Sequence, residues 1–267
     1  MPFEQLLILA IVQGLTEFWP ISSSAHLIIV PNFVANWADQ GPLIDVAMHV
    51  GSLFAVIIYF HKEMRALLRG ALALLSGRKS AEARVLVYLI LGSLPLLIIG
   101  FALLKSGYYD SLRSLEVIAW ANIIFALVLL VIDERFPTDR HIGNLRLPGV
   151  MFIGLAQVLA LIPGASRAGV TMTAGRYLGM ERPEAARFAM LLAIPSILGL
   201  GAGSALELYQ QGGAASLQQG AIAAGLSFVA AFIAIWFMMA LLKRMSMLPF
   251  VVYRFALGAF LFVVVYG

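Results

Sequence analysis

Cysteine is absent from the 267 residues, which excludes a disulfide framework, a thiolate metal site and a cysteine nucleophile. Charge is scarce as well. Only 12% of residues are Asp, Glu, Lys or Arg and 61% are hydrophobic, where soluble domains carry about 25% and about 45–50%. With a mean hydropathy of +0.94, the chain is a polytopic membrane protein. The net charge of +4 would point to nucleic acid in a soluble protein. Here it reads as the lysine and arginine excess of cytoplasmic loops, and nucleic acid is not expected as a partner. A cleavable leader is not evident, because Glu4 stands where a basic n-region belongs; the first segment is expected to remain in the mature protein.

Six apolar runs are long enough to span a bilayer as helices: Ile44–Phe60, Val85–Leu104, Leu115–Ile132, Phe188–Leu206, Gly220–Leu242 and Leu248–Tyr266. Two polar knots break the pattern. The first is Gln13-Gly14-Leu15-Thr16-Glu17-Phe18-Trp19-Pro20-Ile21-Ser22-Ser23-Ser24-Ala25-His26, and the second is Pro163-Gly164-Ala165-Ser166-Arg167-Ala168-Gly169-Val170-Thr171. The apolar arms beside them are too short to cross alone. Each knot is therefore expected to be a re-entrant helix–turn–helix, tolerated at membrane depth only under protein or around a watery cavity.

Loop charges agree with that topology. One side holds Lys62, Arg65, Arg69, Arg78, Lys79, Arg84, Arg135, Arg140, Arg146, Arg176, Arg182, Arg187, Lys243 and Arg244. The other holds Lys105 and Arg113 alone, as the positive-inside rule requires. The order of one re-entrant pair and three spans then repeats, with Pro20 143 residues before Pro163, and Ser22 and Gln13 each 144 before Ser166 and Gln157. Three spans per half would invert one half relative to the other, so that the knots meet near the midplane. The expected fold is an all-α membrane domain over 1–267, of six spans and two re-entrant helix pairs, with halves at about 1–133 and 147–267.

Glu17 and Arg167 are the charges within the knots, and an intramembrane charge costs at least about 2.5–3.5 kcal/mol. A bare ion pair locking the halves together would not call for the surrounding hydroxyls. His26, nine residues after Glu17 and across the Pro20 turn, can face it from the opposite arm and exchange protons. Helix N-termini after the two prolines, with Ser22, Ser23, Ser24, Ser166 and Thr171, offer donors to phosphate oxygens, and Arg167 adds a planar fork. Arg254, in the last span, either joins this set or snorkels to the cytoplasmic interface. His49, Ser52 and Ser196 could line the same cavity.

At these knots the sequence resembles the bacterial undecaprenyl-diphosphate phosphatases, the bacitracin-resistance family. Gln13 through Ser23 is similar to the family's first motif. Pro163-Gly164-Ala165-Ser166-Arg167 through Thr171 is similar to its second, and Ser246 through Arg254 to its C-terminal stretch. Position 13 is glutamine where many members have a second glutamate, and position 168 is alanine where serine is usual.

The resemblance implies a multi-pass hydrolase of the bacterial inner membrane. It would remove the terminal phosphate of undecaprenyl diphosphate, recycling the carrier lipid for peptidoglycan synthesis and giving bacitracin resistance. It implies catalytic roles for Glu17, His26, Ser23 and Arg167, and substrate contacts from Gln13, Ser22, Ser24, Gly164, Ser166, Thr171 and Arg254. It also implies a divalent cation, Mg2+ or Ca2+, with Glu17 as its ligand. The expected partners are the polyprenyl diphosphate and membrane lipids; oligomeric state is left open, a homodimer included. Ser23 or a water could attack. A lipid-phosphate flippase would need the same anion pocket, but not the acid–histidine–serine set.

Overall fold

The computed structural model describes residues 1–33, 37, 40–107, 110–211 and 214–267, with side chains throughout except at 42, 43, 110, 200–211 and 214–217. Every regular element among them is helical, apart from an isolated bridge between Arg140 and Met180. The α-helices run in the order α1 Phe3–Glu17, α2 Ser23–Phe33, α3 Gly41–Tyr59, α4 His61–Leu75, α5 Ala81–Ser106, α6 Leu115–Arg135, α7 Leu147–Val158, α8 Arg167–Tyr177, α9 Arg182–Gln211, α10 Ala214–Leu242 and α11 Leu248–Tyr266.

Local chemistry sets the boundaries. Ser80 and Ser114 cap α5 and α6, accepting from the N–H groups of Ala83 and Val117 at 3.0 and 3.2 Å, and Gly107 ends α5 in the left-handed region. Among the described residues four helices are long and apolar enough to cross a membrane: α5, α6, α10 from Gln218, and α11. A fifth candidate is α3 with α4, which together pass the same test but are bent by 86°. Of the six expected spans, the one over 188–206 lies within α9 and runs into residues whose side chains are outside the description. The loop expected over 61–84 contains α4 instead. The chain is a multi-pass membrane protein, its lipid-facing belts supplied by residues such as Ile98, Leu127, Trp236 and Val263.

No helix of either knot is long enough to cross a membrane alone. α1 and α2 have 15 and 11 residues, α7 and α8 have 12 and 11. At 1.5 Å per residue each is shorter than the roughly 30 Å apolar layer. α1 packs on α2 and on α10, while α7 packs on α8 and on α5. These contacts are close because small residues permit them: a Cβ on Gly154 of α7 would lie 2.4 Å from the Gly92 carbonyl oxygen of α5. The main hydrophobic core includes Leu53, Leu89, Leu129, Ile153, Met172, Phe188, Ile235 and Met247.

One charged cluster ties four segments at the end opposite the knots' turns. Buried Asp133 of α6 accepts from Arg176 Nε at 2.9 Å, Arg182 Nε at 2.8 Å and the Met247 N–H at 3.0 Å. Arg176, wholly buried, also donates to the carbonyls of Asp133, Phe136, Pro137 and Met180. This satisfied network clamps α8, α9 and the turn before α11 to α6.

Candidate functional site

The two knots break at corresponding places. Ser22 and Ser166 are the non-glycine residues with positive φ among the described residues, at 73° and 69°. Such backbone costs about 1–3 kcal/mol per residue and persists where neighbours over-determine it. The next residues open α2 and α8, so both helices begin at the same place. Ser22 Oγ accepts the Gly164 N–H at 3.1 Å and Ser166 Oγ donates to the Trp19 carbonyl at 3.3 Å, fastening each turn to the other. Gly164 is required there: its φ is 95°, and a Cβ would lie 2.9 Å from the Ile118 carbonyl oxygen of α6.

Around these turns lies a cavity of about 330 Å³ lined by Glu17, Ser22, Ser23, Ser24, Ser166 and Arg167. Asp45, Val46, His49 and Val50 of α3 line it too, as do Leu96, Leu104, Arg113, Ala160, Leu161, Ser196 and Ile197. Glu17 is its chemical centre. Arg167 pairs with Glu17 Oε1 and donates to the Ala193 carbonyl at 3.3 Å. Glu17 Oε2 accepts from Ser23 Oγ at 2.6 Å and from Gln13 Nε2 at 2.7 Å, and lies 3.5 Å from His49 Nε2. At the starts of α2 and α8 the N–H groups of Ala25 and Gly169 are taken by the Oγ atoms of Ser22 and Ser166. Those of Ser23, Ser24, Arg167 and Ala168 have no acceptor within their helices, and Ser23, Ser24 and Arg167 line the cavity. An acid, a hydroxyl already hydrogen-bonded to it, a guanidinium and two helix N-termini thus converge on one apolar-walled chamber.

Other expected site residues stand behind the wall. The two arms of the first knot do not bring His26 to Glu17. Its Nδ1 is 2.6 Å from the Ser22 carbonyl, and its Nε2 is 2.5 Å from the Tyr253 hydroxyl of α11. The imidazole beside Glu17 is His49, whose Nδ1 sits 2.8 Å from the Asp45 carbonyl, one turn back on α3. Thr171 donates to the carbonyls of Arg167 and Ala168. Arg254 is wholly buried rather than snorkelling. Its guanidinium donates to the carbonyls of Pro20 at 3.2 Å, Ala121 at 3.3 Å and Gly164 at 2.8 Å, gripping both turns from behind. Ser52 turns to the His49 carbonyl instead of the cavity, whereas Ser196 does line it. Asp45 and Arg113 were not singled out in the sequence. The spacing Asp45, His49, Ser52 is a polar stripe at i, i+4, i+7 in an apolar helix, a signal that marks α3 as a cavity wall.

As arranged, both carboxylate oxygens of Glu17 are taken by protein donors. Oε1 holds a guanidinium and Oε2 receives two donors, while Gln13, at the position of a second carboxylate, donates through Nε2 and keeps its buried Oε1 without a hydrogen-bond partner. Among the described residues no group of three His, Asp or Glu side chains is placed to hold a metal.

Fold and site together define a membrane-embedded protein built to handle a phosphate group at the meeting of two broken helices. The family model of bacitracin resistance protein BacA matches residues 6–260. The chain is 47% identical over 263 residues to the undecaprenyl-diphosphatase of Jannaschia sp. (strain CCS1), covering 98% of each chain. It is 48% identical over 261 residues to that of Maricaulis maris (strain MCS10), covering 97% of each, and 44% identical over 262 residues to that of Alteromonas mediterranea, covering 98% of each. The chain belongs to the BacA family.

Proposed function

We propose that this protein hydrolyses undecaprenyl diphosphate to undecaprenyl phosphate and inorganic phosphate, returning the carrier lipid to cell-wall synthesis and conferring bacitracin resistance. The observation that carries this reading is the Ser23–Glu17–Arg167 chain in the cavity wall. The relatives it most resembles here are named as diphosphatases, and a transport reading draws no support from them. The protein acts in the bacterial inner membrane. Its two short helix pairs are re-entrant and its halves form an inverted repeat, a reading supported by the matched left-handed serines and by the reciprocal packing of α1 on α10 and α7 on α5.

The diphosphate head enters beside Asp45, Leu104 and Arg113, at the end of the cavity nearest the loops poor in lysine and arginine, while the prenyl tail stays in lipid. The Arg167 guanidinium and the N–H groups of Ser24, Arg167 and Ala168 hold the terminal phosphate and stabilise the charge that develops on it. Ser23 Oγ attacks phosphorus as its proton passes to Glu17. The bond to the bridging oxygen breaks, and undecaprenyl phosphate leaves with the proton that Glu17 hands on. Water then cleaves the phosphoserine, the freed carboxylate taking the water's proton and returning it to Ser23 Oγ, and phosphate is released. Ser23 is preferred to water as the attacking group because its hydroxyl already donates to Glu17 at 2.6 Å. His49 shares that carboxylate oxygen and steadies its charge. His26, through the Ser22 carbonyl, and Arg254, through Pro20 and Gly164, act as positioning residues for the strained turns. A divalent cation belongs on the substrate diphosphate rather than on Glu17.

Incubation of purified protein with undecaprenyl diphosphate in detergent micelles tests the activity: equal amounts of phosphate and monophosphate lipid are expected. Lipid recovered unchanged while bound would sink the hydrolase in favour of a carrier. Rapid quench with terminally labelled substrate tests the nucleophile, and label never trapped on the protein under slowed turnover would exclude Ser23.

A further inference from the structure

Opposite the cavity, α4 turns away from α3 by 86° and presents three faces. Glu63, Leu67 and Gly70 face the protein: Glu63 pairs with Arg187 of α9 at 3.0 Å, and a Cβ on Gly70 would lie 2.6 Å from the backbone of Glu82. α4 is thereby seated directly on the first turn of α5. A second face carries Leu68, Leu72 and Leu75, which are 66%, 64% and 85% exposed. Beside it run Lys62, Arg65 and Arg69, all exposed. An apolar row flanked by a basic one on a helix bent out of the bundle is the pattern of a helix lying in the membrane interface.

Where α4 meets α5, a cavity of about 550 Å³ is lined by Leu74, Arg78, Lys79, Ser80, Arg84 and Val87, among others. Arg84 donates to the Gly143 carbonyl at 3.3 Å, and Ser80 is occupied in capping α5. Among the described residues no acid pairs with Arg78, Lys79 or Arg84, and the nearest one in sequence, Glu82, is engaged by its own backbone N–H and by Ser80. The catalytic reading makes no use of any of these groups.

We infer that the α4–α5 hairpin is a binding site for an anionic phospholipid of the cytoplasmic leaflet, its head group held by Arg78, Lys79 and Arg84 and its chains lying along Leu68, Leu72 and Leu75. The apolar row selects a lipid over a soluble phosphate, because a soluble anion would leave those leucines without a partner. The basic side chains select an anionic head group over a zwitterionic one, at about fivefold per residue near the surface.

Native mass spectrometry of the full-length protein, in micelles holding equal phosphatidylglycerol and phosphatidylcholine, tests this. The wild type should retain phosphatidylglycerol at least tenfold over phosphatidylcholine. The combined Arg78→Gln, Lys79→Gln, Arg84→Gln variant should lose that preference while still releasing phosphate from undecaprenyl diphosphate, which shows it folded. Equal retention of the two lipids by wild type, or an undiminished preference in the folded variant, would overturn the site. Displacement of phosphatidylglycerol by millimolar glycerol phosphate would overturn its assignment to lipid. If the triple variant fails to fold, Arg78→Gln alone, at an exposed position, should still lower the preference several-fold, and no change there would count against the site.

Discussion

Arg254→Met separates two roles that the sequence leaves open for this arginine. The substitution keeps much of the side-chain volume but removes the donors to Pro20, Ala121 and Gly164. A stranded buried acceptor costs about 1–3 kcal/mol. The Pro20 and Gly164 carbonyls are stranded and that of Ala121 keeps its bond within α6; offset in part by no longer burying a cation, the change should cost about 3–4 kcal/mol in all. At about 2–4 °C per kcal/mol for a chain of this size, the unfolding midpoint in detergent should fall by roughly 6–16 °C. Because the Pro20 and Gly164 carbonyls belong to the turns that set Ser22 and Ser166, kcat should fall in the protein that remains folded, with KM changing less. The assay is a thermal melt together with steady-state phosphate release well below the new midpoint. An unchanged midpoint with a raised KM would refute the positioning role and restore Arg254 to the substrate.

Arg167→Lys keeps the charge beside Glu17 but loses the fork that spans Glu17, Ala193 and a phosphate oxygen; kcat should fall about 10²–10³-fold with little change in thermal stability, measured on the same preparation. Asp133→Ala leaves Arg176 buried without its carboxylate and should cost about 3–5 kcal/mol, seen as a lower midpoint with KM of the folded protein unaltered. Gln13→Glu places a second carboxylate beside Glu17, so that one of the two must take up a proton or a cation. Its phosphate release should become more sensitive to EDTA than that of wild type, as a chelator titration on both proteins would show.

The knots were legible because each combines a proline, a serine turn and a charge in a run that is otherwise apolar, and no packing of membrane helices asks for that combination. The spans of α5, α6, α10 and α11 followed from hydropathy alone. α4 was not legible as a helix: its basic residues read as a charged loop, and only its docking on α5 through Gly70 and on Arg187 through Glu63 shows why it folds. Proximity in sequence favoured His26 over His49, yet the imidazole of His26 is taken by the carbonyl one turn before it and by Tyr253, 227 residues away. The histidine beside Glu17 comes from a different helix, a pairing that only tertiary packing creates. For Arg254 the sequence gives depth but not direction, and its three carbonyl partners come from three separate segments.

The most direct measurement is the rate of phosphate release from undecaprenyl diphosphate by Glu17→Gln beside wild type, each purified and shown to melt cooperatively. Glutamine preserves the shape of the side chain but cannot take the Ser23 proton. A fall of at least about 10³-fold is expected, because the nucleophile loses its base while the phosphate still binds. Turnover at the wild-type rate would contradict the catalytic role of Glu17 and leave its contact with Arg167 as a structural tie between the two knots.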